Sequence, residues 1–227
     1  MERKLKVILT GATGMVGEGV LHECLHHPDV KKVLIINRRP GGISHEKLTE
    51  VIHGDFTDLT PIMDQLAGYN TCFFCLGVSA FNMKEDQYRS LTYDLTLNFA
   101  QKLLSINSDL SFCYVSGAGT DSTETGRQMW ARVKGKTEND LLKLPFKKAY
   151  MFRPGYLHPT KGLKNHQTFY SWIGFLYPVF RVLFPKYVST LEELGLAMIN
   201  ITTNPSKKQI LEVSDIVRWA KQTTANK

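Results

Sequence analysis

The sequence has few cysteines and no pattern that pairs them. Its 227 residues include four, namely Cys24, Cys72, Cys75 and Cys113, and three of these lie in apolar, strand-like segments. Cys72 and Cys75 have C-x-x-C spacing, but a strand interior is wrong for a thioredoxin-type pair, which sits at a helix N-terminus. The cysteines are therefore interpreted as small buried hydrophobic residues with free thiols. Free thiols suit a reducing compartment, and a cytoplasmic protein is expected.

Long apolar runs and concentrated basic charge are also absent. The N-terminal apolar run is broken at Lys6 and Thr10, so no signal peptide is expected. The net charge is +7, but the basic residues are scattered and do not form a stripe interleaved with aromatics, which argues against a nucleic-acid partner. No metal site is assigned. The length and the hydrophobic content of 43% predict one domain, residues 1–227, with a substantial core.

A glycine-rich turn near the N-terminus is the most informative feature that is present. An apolar strand runs from Leu5 to Thr10, the turn follows with G-x-x-G-x-x-G spacing, and a helical pattern comes next. Gly11 permits the tight turn, Gly14 lets the backbone approach a pyrophosphate at the helix N-terminus, and Gly17 lets the helix press against the strand. The sequence therefore predicts a dinucleotide site here. Its residues are Gly11, Thr13, Gly14, Met15, Val16 and Gly17.

Strand and helix patterns alternate along the chain, which predicts βαβ units. The predicted strands are 5–10, 32–36, 49–53, 70–76, 110–116, 147–153 and 208–212. The predicted helices are 14–27, 58–67, 85–105, 127–143, 189–201 and 213–222. With right-handed crossovers, this pattern predicts an α/β fold with a doubly wound parallel sheet (Rossmann) in the order 3-2-1-4-5-6.

The segment 156–188 interrupts this alternation after strand 6. Aromatic and apolar residues recur in it at helical spacing, but the run is too short for a ~20-residue transmembrane helix. We expect a helical cap or a lid over an apolar substrate. A dimer contact and a membrane-surface contact through 169–184 are the alternatives, and either a monomer or a homodimer is compatible with them. The residues of the helical pattern are Tyr170, Ile173, Tyr177, Phe180 and Phe184.

The residues after the second and third strands predict which dinucleotide binds. An acidic residue just past the second strand would bind the ribose 2′-hydroxyl of NAD, but Arg38 and Arg39 follow it instead. A guanidinium pairs bidentately with a 2′-phosphate, so the sequence favours NADP; a solvated basic turn is the alternative. Asp55, beside Phe56, is expected to accept a hydrogen bond from the adenine amine, with a helix N-cap as its rival role.

The ends of the later strands are expected to surround the nicotinamide half of the cofactor, because ligands bind at the carboxyl edge of open α/β sheets. Leu76 and Gly77 follow the fourth strand, where glycine lets the backbone pass close to the ribose. Ser116 ends the fifth strand. Arg153, Pro154 and Gly155 end the sixth.

Taken together, these motifs resemble the short-chain dehydrogenase/reductase superfamily, and most closely its atypical, NAD-dependent epimerase-like branch and the Tat-interacting-protein-like oxidoreductases within it. The likeness runs from TGATGMVGEGVL through INRR, GDF, CLG and YVSGAGTD to VKGKTE and FRPG. It implies a Rossmann fold and NADPH binding. By position, it implies that Ser116 and Lys134 are the catalytic serine and lysine.

One residue departs from that superfamily pattern. A catalytic tyrosine stands four residues before the lysine in the superfamily, which places both side chains on one helix face. Trp130 occupies that position here, and an indole N–H can donate a hydrogen bond but does not transfer a proton near neutral pH. Losing a positioned general acid costs ~10²–10⁴-fold in rate. The alternatives left open are Tyr156, Tyr93 and His158 as proton donors, and Lys136 in place of Lys134.

The predicted function is therefore an NADP-dependent oxidoreductase that acts on a small carbonyl or alcohol, with Ser116, Lys134 and Trp130 at its catalytic centre. An NADPH-binding redox-sensing or regulatory module with little catalytic activity is the alternative, because of Trp130. A sugar-nucleotide epimerase or dehydratase is a third hypothesis, although this chain also lacks the tyrosine of such enzymes.

Overall fold

The computed structural model describes residues 4–160, 162–163 and 177–222. The strands are β1 (Leu5–Thr10), β2 (Val30–Asn37), β3 (Leu48–Ile52), β4 (Thr71–Phe74), β5 (Ser111–Val115), β6 (Lys148–Arg153), β7 (Tyr156–His158), β8 (Val188–Thr190) and β9 (Ile210–Glu212). The helices are α1 (Met15–His26), α2 (Met63–Leu66), α3 (Glu85–Arg89), α4 (Leu95–Ile106), α5 (Met129–Lys143), α6 (Tyr177–Leu183), α7 (Leu191–Thr203) and α8 (Val213–Ala220).

Seven strands form one parallel sheet in the order β3-β2-β1-β4-β5-β6-β9. This confirms the predicted doubly wound α/β fold, and β9 extends the predicted order by one strand beyond β6. The central strands are apolar on both faces, as expected for a parallel sheet covered by helices on each side. One layer contains α1, α7 and α8, and the other contains α4 and part of α5.

Two of the predicted helices have a different local form. Where the sequence predicts a helix at 58–67, the structure has a short 3₁₀ turn, Thr60–Ile62, that leads directly into the single turn of α2. Where it predicts one helix at 85–105, the structure has α3 and α4 joined by a π-helical segment, Ser90–Asp94. The hydrophobic pattern alone does not distinguish these forms, because all of them place apolar residues on one side.

Close helix packing holds α1 in place against the sheet. A Cβ atom at Gly19 of α1 would lie 2.8 Å from Leu191 Cβ, and one at Gly195 of α7 would lie 2.6 Å from Glu23 Cγ. The two helices therefore meet through a glycine on each side, which allows α1 and α7 to pack closely.

The segment after β6 contains two strands that the sequence pattern did not predict. β7 and β8 form a separate two-stranded parallel sheet, and α6 lies between them in the chain. A Cβ at Gly155 would lie 2.2 Å from the Tyr187 carbonyl oxygen, so this approach requires glycine. Tyr170 and Ile173 of the predicted lid lie outside the described residues. Among the helices that are described, none combines the length and the apolar character needed to cross a membrane.

Candidate functional site

The glycine turn has the backbone geometry that close approach requires. Gly11 has φ +76°, and a Cβ there would lie 2.7 Å from the Cys75 carbonyl oxygen. A Cβ at Gly17 would lie 2.1 Å from the Gly11 carbonyl oxygen, whereas one at Gly14 would lie 3.4 Å from the same atom. The protein itself therefore requires glycine at positions 11 and 17. Position 14 is open on the protein side, which fits a place where a ligand approaches the backbone.

The end of β2 presents two exposed guanidiniums. Asn37 is buried, and Arg38 and Arg39 follow it on the surface. Neither arginine is in an ion pair with any residue that the structure describes. Just before them, Asn37 Nδ2 donates a hydrogen bond to Glu50 Oε1 of β3 at 2.6 Å.

The structure places Asp55 in an exposed turn after β3. Its Oδ1 accepts hydrogen bonds from Thr57 N at 2.8 Å and Thr57 Oγ1 at 2.5 Å, and the hydroxyl bond lowers the pKa of Asp55 below its ordinary value. Asp58 Oδ1 likewise accepts from Thr60 N at 2.9 Å, and the 3₁₀ turn that begins at Thr60 has Leu59 as its N-cap, without a side-chain cap hydrogen bond. Asp55 therefore forms a local turn and does not cap the helix, and its role toward adenine stays a prediction. Phe56 is buried, with its ring against Phe99.

The end of β4 lies directly beside the glycine turn. Leu76 N donates to Thr10 Oγ1 at 3.3 Å, which ties the ends of β4 and β1 together. Gly77 is exposed, and a Cβ placed there would have open space around it. The backbone at this position is therefore accessible from the carboxyl edge of the sheet.

Ser116 is buried at the end of β5, and its hydroxyl proton is already used. Ser116 Oγ lies 2.5 Å from Glu138 Oε1 and 3.1 Å from the Phe152 carbonyl oxygen, and both of these atoms are acceptors. A hydroxyl has one proton to donate, so either partner occupies it. In this arrangement Ser116 offers a ligand only the lone pairs of its oxygen.

Lys134, and not Lys136, faces the end of β5. Lys134 Nζ donates to the Ser116 carbonyl oxygen, and burial lowers the pKa of Lys134 to about 8, opposed by the negative charge of Glu138. Lys136 instead donates to Asp140 at 2.9 Å, and Tyr93 OH donates to the same carboxylate at 2.8 Å. These contacts favour Lys134 over Lys136 as the lysine that faces a cofactor ribose, a role that stays a prediction, and Tyr93 is engaged with Asp140 of α5.

A buried ion pair that the sequence did not predict lies beside Ser116 and Lys134. Glu138 is fully buried, and Arg153 Nε lies 3.1 Å from each of its carboxylate oxygens. Arg153 also donates to Ser122 Oγ at 2.5 Å and contacts Glu212 at 3.2 Å. The available sequence signal was the spacing of Glu138 from Lys134, since residues four apart share one helix face.

Trp130 lies in the first turn of α5, one turn before Lys134. Its ring covers the loop after β5, where a Cβ at Gly119 would lie 3.5 Å from Trp130 Cη2. The same loop presses against the helix at Gly135, because a Cβ there would lie 1.8 Å from the Asp121 carbonyl oxygen. The indole thus occupies the tyrosine position of the motif and packs beside the strand end.

Residues after β6 complete this edge of the sheet. The Pro154 carbonyl oxygen accepts from Ala118 N at 2.8 Å, so the loops after β5 and β6 are joined. The His158 ring stacks on Tyr177 with centroids 4.0 Å apart, and the proton-transfer roles of His158 and Tyr156 stay predictions. An open apolar depression of about 390 Å³ borders this region and is lined by Gly155, Tyr156, Phe180, Phe184, Tyr187 and Val188.

The cysteines lie within the fold as free thiols, and three of the four are buried. Burial raises the pKa of the Cys113 thiol to about 12, and burial likewise raises the pKa of Cys72. A thiol must ionise to act as a nucleophile, so this environment does not suit redox chemistry.

Comparison with known proteins connects this geometry to a family. The family model described as "NAD dependent epimerase/dehydratase family" matches residues 7–124. The protein named FMP52, mitochondrial, of Debaryomyces hansenii is 23% identical over 207 residues, which cover 88% of this chain and 89% of that protein. Protein HTATIP2 of Rattus norvegicus is 28% identical over 153 residues, which cover 66% of this chain and 62% of that protein. These matches confirm the resemblance drawn from the motifs.

Solved structures agree on the fold. The glucuronic acid dehydrogenase from Chromohalobacter salexigens superimposes with a TM-score of 0.67 at 14% identity, and the match covers 96% of this chain and 85% of that one. At this identity the likeness shows the fold alone.

The comparisons also correct one expectation. The cytoplasmic location expected from the free thiols is wrong, because FMP52 relatives carry mitochondrial names. Free thiols indicate a reducing environment and do not identify a compartment.

Proposed function

This chain belongs to the NAD dependent epimerase/dehydratase family, and on that premise we propose that it is an oxidoreductase that uses NADPH. The proposal rests on one observation above the others: Arg38 and Arg39 are exposed at the end of β2, where a carboxylate would be needed to bind the 2′-hydroxyl of NAD. Two guanidiniums at this place match the geometry and charge of a 2′-phosphate.

The residues present fit a dinucleotide. Gly11 and Gly17 leave a backbone cradle that Cβ atoms would fill, and the backbone of Thr13, Gly14, Met15 and Val16 would hold the pyrophosphate at the N-terminus of α1. When bound, the dinucleotide supplies a hydride. The remaining contacts would come from Asp55 and Phe56 toward adenine, Leu76, Gly77, Pro154 and Gly155 toward the nicotinamide half, and Lys134 toward its ribose.

The substrate class that fits best is a small apolar carbonyl compound or the corresponding alcohol. The depression beside Gly155 is bordered by the rings of Phe180, Phe184 and Tyr187, which would exclude water from an apolar group. Lys134 would orient the cofactor ribose. Because the proton of Ser116 is used internally, its oxygen would accept a hydrogen bond from a ligand hydroxyl.

Calorimetric titration with NADPH and with NADH tests the cofactor. We expect NADPH to bind at least about tenfold more tightly, and Arg38→Ala or Arg39→Ala to lower NADPH affinity by about 10- to 100-fold, since hydrogen bonds to charged groups contribute about 1.5–3 kcal/mol. NADH affinity should stay unchanged. Lys31→Ala, an exposed basic residue at the opposite end of β2, is the matched control. Equal affinities for the two coenzymes would contradict the proposal.

A second candidate is an NADPH-binding regulatory or redox-sensing module. It is favoured by Trp130 at the tyrosine position and by the internal bonding of Ser116, which together remove two proton-donating groups of the superfamily's catalytic set. Trp130→Tyr separates the candidates, with Trp130→Phe as control. Gain of carbonyl reduction with an aldehyde and ketone panel by the tyrosine variant alone supports the oxidoreductase. An inert tyrosine variant with weakened NADPH binding supports the module.

A further inference from the structure

One carboxylate oxygen closes the base of the turn that carries the two arginines. Glu50 Oε1 accepts a hydrogen bond from Asn37 Nδ2 at 2.6 Å and another from Gly41 N at 2.8 Å. Asn37 is the last residue of β2, and Gly41 comes four residues later. Residues on both sides of 38–40 therefore donate to the same oxygen atom, and residues 38–40 form a short turn that is hydrogen-bonded at both ends.

The parts of the turn below the arginines are held tightly. Asn37 is only 3% exposed, and its carbonyl oxygen accepts from His53 N at 2.8 Å. A Cβ at Gly41 would lie 3.3 Å from both Asn37 Nδ2 and Glu50 Oε1, so the two hydrogen bonds leave little free space at this point. Pro40 has a fixed φ angle. The turn is thus hydrogen-bonded at both ends, while Arg38 and Arg39 are exposed.

Glu50 itself comes from a neighbouring strand. It pairs with Ile35 in the register of β2 and β3, so its position is set by the sheet and does not depend on the turn that it holds. The connection from β2 to β3 is unusually short. Parallel strands are usually joined by a crossover of a dozen or more residues, commonly with a helix, whereas residues 38–47 join β2 to β3 without a helix. In this crossover, the two hydrogen bonds to Glu50 hold the first residues after β2.

We propose that Glu50 is a specificity-determining positioning residue, which holds the 38–40 turn so that Arg38 and Arg39 are ordered for a phosphate monoester on the 2′ position of the cofactor ribose. The inference rests on the proposed use of NADPH. Its physical basis is preorganisation: a turn that is ordered before the ligand arrives does not lose conformational entropy on binding.

The negative charge of Glu50 opposes phosphate binding, whereas its hydrogen bonds to the turn favour it. A carboxylate near the arginines repels a phosphate and attracts the guanidiniums, so Glu50 assists binding only as a hydrogen-bond acceptor. Two substitutions separate these effects. Glu50→Gln keeps an acceptor oxygen and removes the charge, whereas Glu50→Ala removes both. Glu46→Ala, an exposed carboxylate in the same crossover, is the matched control.

Calorimetric titration of these variants with NADPH and NADH tests the inference, with thermal unfolding as the check that each variant is folded. Glu50→Ala should lower NADPH affinity about tenfold while NADH affinity changes less than about twofold, because only NADPH uses the ordered arginines. Glu50→Gln should bind NADPH as tightly as the parent or up to about fivefold more tightly, since a screened repulsion is removed. Glu46→Ala should match the parent.

A double-mutant cycle distinguishes positioning from a general loss of structure. If Glu50 acts through the arginines, Glu50→Ala should have little further effect on NADPH affinity in an Arg38→Ala/Arg39→Ala background. The inference is overturned by additive effects, by an unchanged NADPH-to-NADH ratio in Glu50→Ala, or by equal losses in Glu50→Gln and Glu50→Ala. Parent protein without a preference for NADPH would overturn the proposed cofactor itself, whatever the Glu50 variants do.

Discussion

Substituting Gly17 by alanine should separate α1 from the glycine turn. The new Cβ would lie 2.1 Å from the Gly11 carbonyl oxygen and 2.4 Å from its carbon, whereas non-bonded heavy atoms pack at roughly 3.5 Å. The helix and the turn must then move apart by about 1.4 Å. Overpacking of this kind costs about 1–3 kcal/mol, and a chain of this size loses about 2–4 °C in Tm for each kcal/mol. The expected fall in Tm is therefore about 2–12 °C.

Thermal unfolding and NADPH titration measure the two consequences of Gly17→Ala. NADPH affinity should fall at least about tenfold, because the amides at the α1 N-terminus no longer converge on the pyrophosphate. Gly14→Ala is the matched control for stability: its backbone is extended, with φ −98°, and its Cβ would meet only the Gly11 oxygen at 3.4 Å. Its Tm should change little while its NADPH affinity falls. A Gly17→Ala protein with unchanged Tm and affinity would show that α1 does not need glycine at this position to contact the turn.

Three further predictions concern the residues around α5. The pKa of Lys134 is lowered from 10.5 to about 8 in the folded protein, so between these pH values the unfolded chain binds more protons and the free energy of unfolding rises with pH. Lys134→Met should therefore raise Tm more at pH 7 than at pH 10, and an equal shift at both pH values would contradict this prediction. Arg153→Ala should lower the free energy of unfolding, measured in urea, by about 3–5 kcal/mol, because the buried Glu138 carboxylate loses its guanidinium partner. The double variant Glu138→Ala/Arg153→Ala should lose less free energy of unfolding than the sum of the two single variants. Gly135→Ala should lower stability by about 1–3 kcal/mol, because its Cβ would lie 1.8 Å from the Asp121 oxygen; an unchanged Tm would count against the close approach.

Sheet order and the glycine turn were predictable because their signals are local and repeated. Each buried parallel strand reads as a short apolar run, and each crossover supplies its own helical pattern. Topology rules then leave few ways to arrange the strands. The strand order therefore followed from one pattern applied several times, with only the place of β9 left to the structure.

The features that were missed depend on contacts between distant residues. β7 and β8 have three residues each and pair across a gap of some thirty residues, so neither has a periodicity to detect. The role of Glu50 depends on its register opposite Ile35, which the sequence does not reveal. The pairing of Glu138 with Arg153 joins a helix to a strand end, and only helical spacing from Lys134 hinted at the side on which Glu138 lies.

Titration with 2′,5′-ADP and with 5′-AMP shows whether the end of β2 binds the extra phosphate of NADPH. These two probes differ only in the 2′-phosphate, and neither carries the nicotinamide, so the result is independent of catalysis. We expect 2′,5′-ADP to bind at least about tenfold more tightly than 5′-AMP, since a bidentate charged pair contributes about 1.5–3 kcal/mol, and we expect NADPH to displace it. Equal affinities for the two probes would show that Arg38 and Arg39 do not bind a 2′-phosphate.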